Sequence, residues 1–250
     1  MSHAHPSSKD LEKVLKIIKF SRKYCITIVE TTAAAIAGRL TKTVLLLRSH
    51  VTPTLSSLDI LMYALDTECS IVAKTARLAV EEDLWTRESS PYELLSLLQG
   101  HEERELIAVA YYQVLLKGMS NWMFEEELNK SQHHALYIGI ARLSAEWESI
   151  FSVWGESFNV PIKRDHFYTN HHGIQTLECT VSGEVHGKIW RALAEKNLYT
   201  FDVIGRLNLV KGMDDLDRHD DVVLPIVNRQ LKHTKLILHT FFQDPPQLQE

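Results

Sequence analysis

Cysteine, proline and glycine are scarce in this chain, whose 250 residues include 3 cysteines, 7 prolines and 10 glycines. The cysteines, Cys25, Cys69 and Cys179, are far apart and odd in number, which excludes the disulfide framework of a small secreted protein. So few glycines and prolines favour helices over a β-sandwich or barrel, whose many turns use both residues. The chain is therefore expected to be helical.

An apolar run long enough to cross a bilayer is also missing. The most apolar stretch, 25–47, is broken by Glu30, Arg39, Lys42 and five threonines, whereas a spanning helix needs about 18 or more apolar residues. The first ten residues are polar and lack the apolar stretch of a secretory signal. The sequence predicts a cytoplasmic or nuclear protein with no membrane partner.

Neither an excess of charge nor a catalytic motif is present. The net charge is −5, so no strongly basic nucleic-acid footprint is expected. Apolar residues make up 45% and charged residues 24%, an ordinary globular composition. No Gly-x-Ser-x-Gly elbow, P-loop or dinucleotide fingerprint occurs. We therefore predict no catalytic, cofactor-binding or metal-binding residues and no cofactor.

Apolar residues recur at helical spacing along most of the chain. The clearest start is at Ser90, where an N-cap serine, a proline and Glu93 precede an apolar run. Ser57 is a plausible N-cap of an earlier helix, and the Ala-rich helix before it is expected to end near Gly38. The prediction is an all-α, multi-helix bundle of about nine to eleven helices, with one irregular loop region at 158–179.

The same pattern predicts two helical subdomains joined by a short linker. The segments are a disordered N-terminus at 1–10, a helical subdomain at 11–118, a linker at 119–127, a C-terminal helical subdomain at 128–244 and a tail at 245–250.

The segment HEERE, from His101 to Glu105, resembles the start of a zinc-protease signature. That chemistry needs a second histidine one helical turn later, but Glu105 stands there. Acidic residues are also favourable in the first turn of a helix. The structural interpretation, a helix start, is preferred.

Two other clusters contain potential metal ligands. The acidic run from Asp214 to Asp221 holds five aspartates but lacks the mid-loop glycine and terminal glutamate of a calcium loop. A solvated linker between two helices explains it better. The His-rich segment, 166–186, contains zinc-competent residues without closely paired cysteines, so exposed loop histidines explain it equally well. Its residues are His166, His171, His172, Cys179 and His186.

Several segments share an order with a known family. They are LKIIKFSRKYCITIVETTAAAIAGRL, LDILMYALDTECSIVAKTARLAVEEDL, SPYELLSLLQGHEERELIAVAYYQVLLKG, ECTVSGEVHGKIWRALAEKN and YTFDVIGRLNLVKGMDDLD. From about Leu11 to Phe242 the chain resembles the helical, BACK-like region after the BTB domain in fungal BTB/POZ-domain-like proteins. The resemblance implies a helical protein-interaction region.

The chain departs from that family at two points. Only ten residues precede Leu11, where the resemblance would place a BTB core of roughly a hundred residues, and the paired cysteines common in the family's late segment are missing. Because the BTB core carries self-association and cullin binding in the family, we expect no ubiquitin-adaptor role. The chain is then either a helical module or part of a longer BTB protein.

Two functional hypotheses follow. The first is a non-catalytic helical protein-protein interaction or scaffold module with protein partners of unknown identity, or a homo-oligomer. The five tryptophans would then be core or interface anchors. The alternative is a metal-dependent α-helical enzyme that uses the acidic run or the His-rich segment.

Overall fold

The computed structural model describes residues 8–47, 56–157, 161–170, 173–180, 188–189, 191–193, 195–196, 198–213 and 220–243. The chain divides into two compact units, Met1–Leu128 and Asn129–Glu250. Helices dominate the described residues of both units, which confirms the all-α prediction. Among these helices, none combines the length and the apolar character that crossing a bilayer requires.

The first unit is built from helices alone in its described part. They are α1 (Ser8–Lys23), α2 (Thr27–Leu47), α3 (Ser57–Asp66), α4 (Ser70–Thr86), α5 (Pro91–Leu97), α6 (Arg104–Leu116) and α7 (Met119–Trp122). Helix α1 packs on α2, α2 and α3 pack on α4, and α6 packs on α4 and α5. Residues at helical spacing fill the core, such as Leu11, Leu15 and Ile18 of α1, which are fully buried. This is the outcome that their periodicity predicts.

The second unit combines helices with a β-hairpin. Its elements are α8 (Lys130–Ser157), β1 (Pro161–Asn170), β2 (Gly173–Thr180), α9 (Val203–Lys211) and α10 (Asp220–Phe241). Helix α9 packs on α10, and both pack on α8. Leu136 and Leu143 of α8, together with Leu207, Val227 and Leu238, are buried between these helices.

A partly buried arginine connects α9 to α8. Arg206 donates hydrogen bonds to the carbonyl oxygens of Leu198 at 2.7 Å and Tyr199 at 2.8 Å. Its guanidinium carbon lies 5.0 Å from the centre of the Trp147 ring on α8. Burial lowers the pKa of Arg206, while the charge of Asp202 opposes that shift. The long-helix tryptophan is therefore a packing anchor, as predicted.

The segment predicted to be an irregular loop is a two-stranded antiparallel hairpin. Backbone pairing runs from Pro161 opposite Thr180 to Asn170 opposite Gly173, with an irregularity between Arg164 and Tyr168. The sequence shows no sustained alternation of apolar and polar residues there, so the pattern that marks a half-buried strand is missing. The two strands nevertheless pair through their backbone hydrogen bonds, which do not require that alternation.

Helix boundaries differ from prediction at three places. Helix α2 continues through Gly38 to Leu47, and α3 is capped by Ser56 rather than Ser57. Gly38 lies inside α2 at a point where the helix closely approaches Ile71 of α4. A glycine inside a helix usually has such a packing reason, since it has no side chain to occupy the space. The predicted linker at 119–127 contains α7, whose Trp122 is fully buried.

Candidate functional site

The HEERE segment is a helix start with a partly buried ion pair. Glu103 is 7% exposed and precedes α6, which begins at Arg104. Its carboxylate accepts two hydrogen bonds from Arg77 of α4, at 2.6 Å from Nε and 2.5 Å from Nη2. This hydrogen bonding is the main cause of the raised pKa of Arg77. The acidic residue therefore joins two helices of the first unit.

Most of the predicted metal-ligand candidates lie outside the described residues. This holds for positions 214–219 of the acidic run and for His171, His172 and His186. Asp220 and Asp221 begin α10, while His166 and Cys179 lie on β1 and β2. Within the described part of the chain, no three histidine, cysteine, aspartate or glutamate side chains gather where they could hold a metal ion. The metal-dependent enzyme stays a prediction.

A cleft of about 330 Å³ opens in the first unit, between the end of α4, the start of α5 and the end of α6. We call it the α4–α6 cleft. Its lining residues are Leu84, Arg87, Glu88, Ser89, Ser90, Pro91, Gln113, Leu116 and Lys117. They come from separate stretches of the sequence, and only the packing of α4 and α5 on α6 brings them together.

Local structure positions the two cations of the α4–α6 cleft. Arg87 ends α4 in the left-handed conformation, with φ of 63°, and its backbone N–H donates to the carbonyl of Leu84. Lys117 ends α6 with its Nζ 4.2 Å from the centre of the Tyr92 ring. The pKa of Tyr92 is raised, first by burial and then by the charges of nearby glutamates. Both cations are therefore held beside the cleft by the ends of helices.

The deepest polar group lining the cleft is the amide of Gln113. This residue of α6 is 7% exposed, and its side chain makes no hydrogen bond or ion pair with any other described residue. Ser90, by contrast, uses its hydroxyl to accept a bond from the backbone N–H of Glu93 and so caps α5. The sequence pattern predicted that cap but contained no signal for the cleft around it.

Exposed apolar side chains cluster where α1 turns into α2. We call this surface the apolar tip, and it consists of Phe20, Tyr24, Ile26, Ile28 and Val29. Ile28 is 81% exposed and Phe20 is 57% exposed. The rings of Phe20 and Tyr24 stand 4.5 Å apart. Exposed apolar residues are ordinary singly, but a group of five between positions 20 and 29 is typical of a contact surface.

Arg22 connects the apolar tip to the segment after α3. Its Nε donates to Glu30 of α2 at 2.9 Å, and its Nη1 donates to the Thr67 carbonyl at 2.7 Å and to Glu68 at 2.8 Å. The chain passes through the turn with Cys25 at φ of 56°. These bonds tie the tip to the end of α3 and to the turn that follows it.

In comparisons with known proteins, no protein-family model, no curated protein and no solved structure matches the chain.

Proposed function

We propose that this chain is a non-catalytic helical protein-interaction module whose contact surface is the apolar tip. The observation that carries the proposal is the exposure of the tip's aromatic and aliphatic side chains, led by Ile28 and Phe20. Burial of such a side chain contributes about 1.5–3 kcal/mol. A few well-buried anchors of this kind dominate the binding energy of typical protein interfaces.

The contacts of Arg22 at the base of the tip support the same role. Arg22 makes ion pairs with Glu30 at 2.8 Å and with Glu68 at 2.8 Å, which connect α1 to α2 and to the turn between α3 and α4. A surface that is already ordered loses little conformational entropy when a partner binds. The resemblance to the helical region after a BTB domain implies the same class of function and remains a prediction.

The proposal is tested with the double variant Phe20→Ser and Ile28→Ser of the tagged full chain, expressed in its own cells. Proteins that co-purify with the wild type are quantified by mass spectrometry, and the specific partners are expected to fall about tenfold or more in the variant. Leu236→Ser is the matched control, because Leu236 is an exposed apolar residue of α10 in the other unit.

Self-association is examined in parallel by sedimentation of the purified proteins. If the partner is a second copy, the wild type forms a dimer that the tip variant loses and the control retains. The proposal is overturned if the wild type neither enriches a partner nor self-associates. It is also overturned if the tip variant keeps every interaction at wild-type strength.

A further inference from the structure

We infer that the α4–α6 cleft binds a small monocarboxylate that carries a short apolar tail. The inference is independent of the apolar tip, because the cleft is lined by residues of α4, α5, α6 and the segments that join them. Three observations carry it, namely an unbonded amide that faces the cleft, the charge of the lining and apolar walls.

The amide of Gln113 is the first observation. Gln113 lines the cleft, and its side chain has no hydrogen-bond partner among the described residues. The residue as a whole is 7% exposed, but its amide atoms are not among the enclosed, unbonded side-chain atoms of the described residues, so the amide meets the open space of the cleft. An amide both donates and accepts hydrogen bonds. A ligand oxygen in the cleft would satisfy its NH₂ group.

The charge of the lining is the second observation. Among the lining residues, Arg87 and Lys117 are positive and Glu88 is negative, so the lining has a formal charge of +1; the negative charges of Glu125 and Glu127 lie outside the lining and act on Tyr92. A carboxylate, with one negative charge, neutralises this surplus, whereas a phosphate monoester carries about −1.5 to −2 at neutral pH. The guanidinium of Arg87 also matches the two oxygens of a carboxylate.

The size and walls of the cleft are the third observation. Its volume of about 330 Å³ is roughly twice that of a cavity of about 150 Å³ that holds benzene. Leu84, Pro91 and Leu116 supply the apolar part of the lining. A carboxylate with a tail of one ring and a few methylene groups therefore fits the space and leaves its charged end beside the cations.

The carboxylate could belong to a free small molecule or to the C-terminus of a peptide. Titration calorimetry on the full chain separates these sources with four probes. They are 4-phenylbutanoate, the neutral 4-phenylbutanamide, and a tetrapeptide ending in phenylalanine with a free or an amidated C-terminus. We expect each carboxylate to bind at least about tenfold more tightly than its amide, because it alone makes charge-assisted hydrogen bonds. The tighter of the two carboxylates identifies the source.

Two variants locate the binding. The double variant Arg87→Asn and Lys117→Gln removes both charges, and asparagine tolerates the left-handed conformation at position 87. It should weaken carboxylate binding about tenfold or more, and the matched double variant Lys74→Gln and Arg104→Gln, which changes two exposed cations elsewhere in the unit, should not. Gln113→Leu keeps the volume but loses the amide, and should also weaken binding.

Gln113→Glu provides a second measurement if Gln113→Leu unfolds, as judged by circular dichroism. It should abolish carboxylate binding through repulsion while leaving binding of the neutral amide unchanged. The inference is overturned if neither carboxylate binds at millimolar concentration, if the carboxylates and amides bind equally, or if the double charge variant binds like the wild type.

Discussion

Arg77 and Glu103 show how a single side-chain pair can join two helices. The two hydrogen bonds between them connect the middle of α4 to the start of α6, and the carboxylate is buried. The arginine side chain remains 41% exposed, so solvent screens part of the attraction. The ion pair is therefore weaker than one in a dry interior. The buried Glu103 carboxylate nevertheless depends on Arg77 to balance its charge.

Replacement of Arg77 by methionine should destabilise the protein by about 1–3 kcal/mol, because Glu103 would keep its burial and lose its cation. Adding Glu103→Leu should restore part of that loss, since the double variant has no unpaired charge. Urea unfolding of the two single variants and the double variant measures the coupling. Lys16→Met, which breaks an exposed pair with Glu12, should leave the unfolding midpoint unchanged. Strict additivity of the two substitutions would contradict the assignment.

Tyr111 makes stability depend on pH at the alkaline end. Burial raises the pKa of Tyr111 to about 12, whereas an unfolded tyrosine titrates near 10. The stabilisation of the folded state by neutral Tyr111 is therefore fully present below pH 10. It is lost as pH rises from 10 to 12, because the tyrosine of the unfolded chain ionises first and lowers the free energy of that state. The loss should be about 1–2 kcal/mol, discounted for partial exposure.

Urea unfolding at pH 8, 10 and 11 for the wild type and Tyr111→Phe measures this effect. The difference in unfolding free energy between them should shrink or reverse in favour of phenylalanine as pH rises. If the unfolding free energy of the two proteins changed equally with pH, Tyr111 would have the same pKa in the folded and unfolded states.

At the scale of the helix, local signals determined the starts more closely than the ends. Ser90 caps α5 as its sequence predicts, and Ser56 caps α3 in a reciprocal bond with Asp59. The adjacent serine, Ser57, was the predicted cap but is buried and donates to Asp83 of α4. Two neighbouring serines offer the same local chemistry, and the contact with α4 distinguishes them.

Two helical glycines with crowded surroundings should respond differently to alanine. A Cβ at Gly139 of α8 would overlap the ring of Phe242, which is buried. A Cβ at Gly38 of α2 would lie 2.7 Å from Cγ2 of Ile71, whose β-branched side chain is stiff within α4 but half exposed, so that it can be displaced towards solvent. Alanine gains about 1 kcal/mol of helix propensity at either site, while overpacking costs about 1–3 kcal/mol.

We therefore expect Gly139→Ala to destabilise the protein by about 1 kcal/mol and Gly38→Ala to be less destabilising, because the half-exposed Ile71 is displaced towards solvent more easily than the buried Phe242 ring. Thermal unfolding of both variants measures the contrast. If Gly139→Ala lowered the melting temperature no more than Gly38→Ala, the Phe242 ring would have free space to move and the packing argument would fail.

At the scale of the whole molecule, the chain divides after Leu128 into two units that each bury their own helices. The cleft and the apolar tip both belong to the first unit. Units of this size with a core of their own are typical of domains that fold alone.

Residues 1–128 expressed alone should accordingly be helical and unfold in a single cooperative urea transition, because the buried residues of α1 to α7 pack on one another. Circular dichroism and the fluorescence of the fragment's two tryptophans, Trp85 and the buried Trp122, follow the transition, and the two signals should coincide. A fragment with a broad transition, or without a fixed environment for Trp122, would show that the first unit needs the rest of the chain.

The sequence by itself determined the helical class and most of the core. Leu11, Leu15 and Ile18 or Leu136, Leu143 and Trp147 are buried because a period near 3.6 places them on one face of a helix. This periodicity involves residues close together in the chain, so it can be recognised from the sequence alone.

Only the tertiary structure decided the features that bear on function. Arg87, Gln113 and Lys117 meet in one cleft because α4 and α5 pack on α6, and the pairing of Glu103 with Arg77 spans 26 positions. The hairpin at 161–180 depends on pairing between strands. The apolar tip was equally hidden, because a periodic apolar residue becomes core or surface according to what packs against it. Contacts between distant segments leave no periodic trace, and a single sequence therefore does not reveal them.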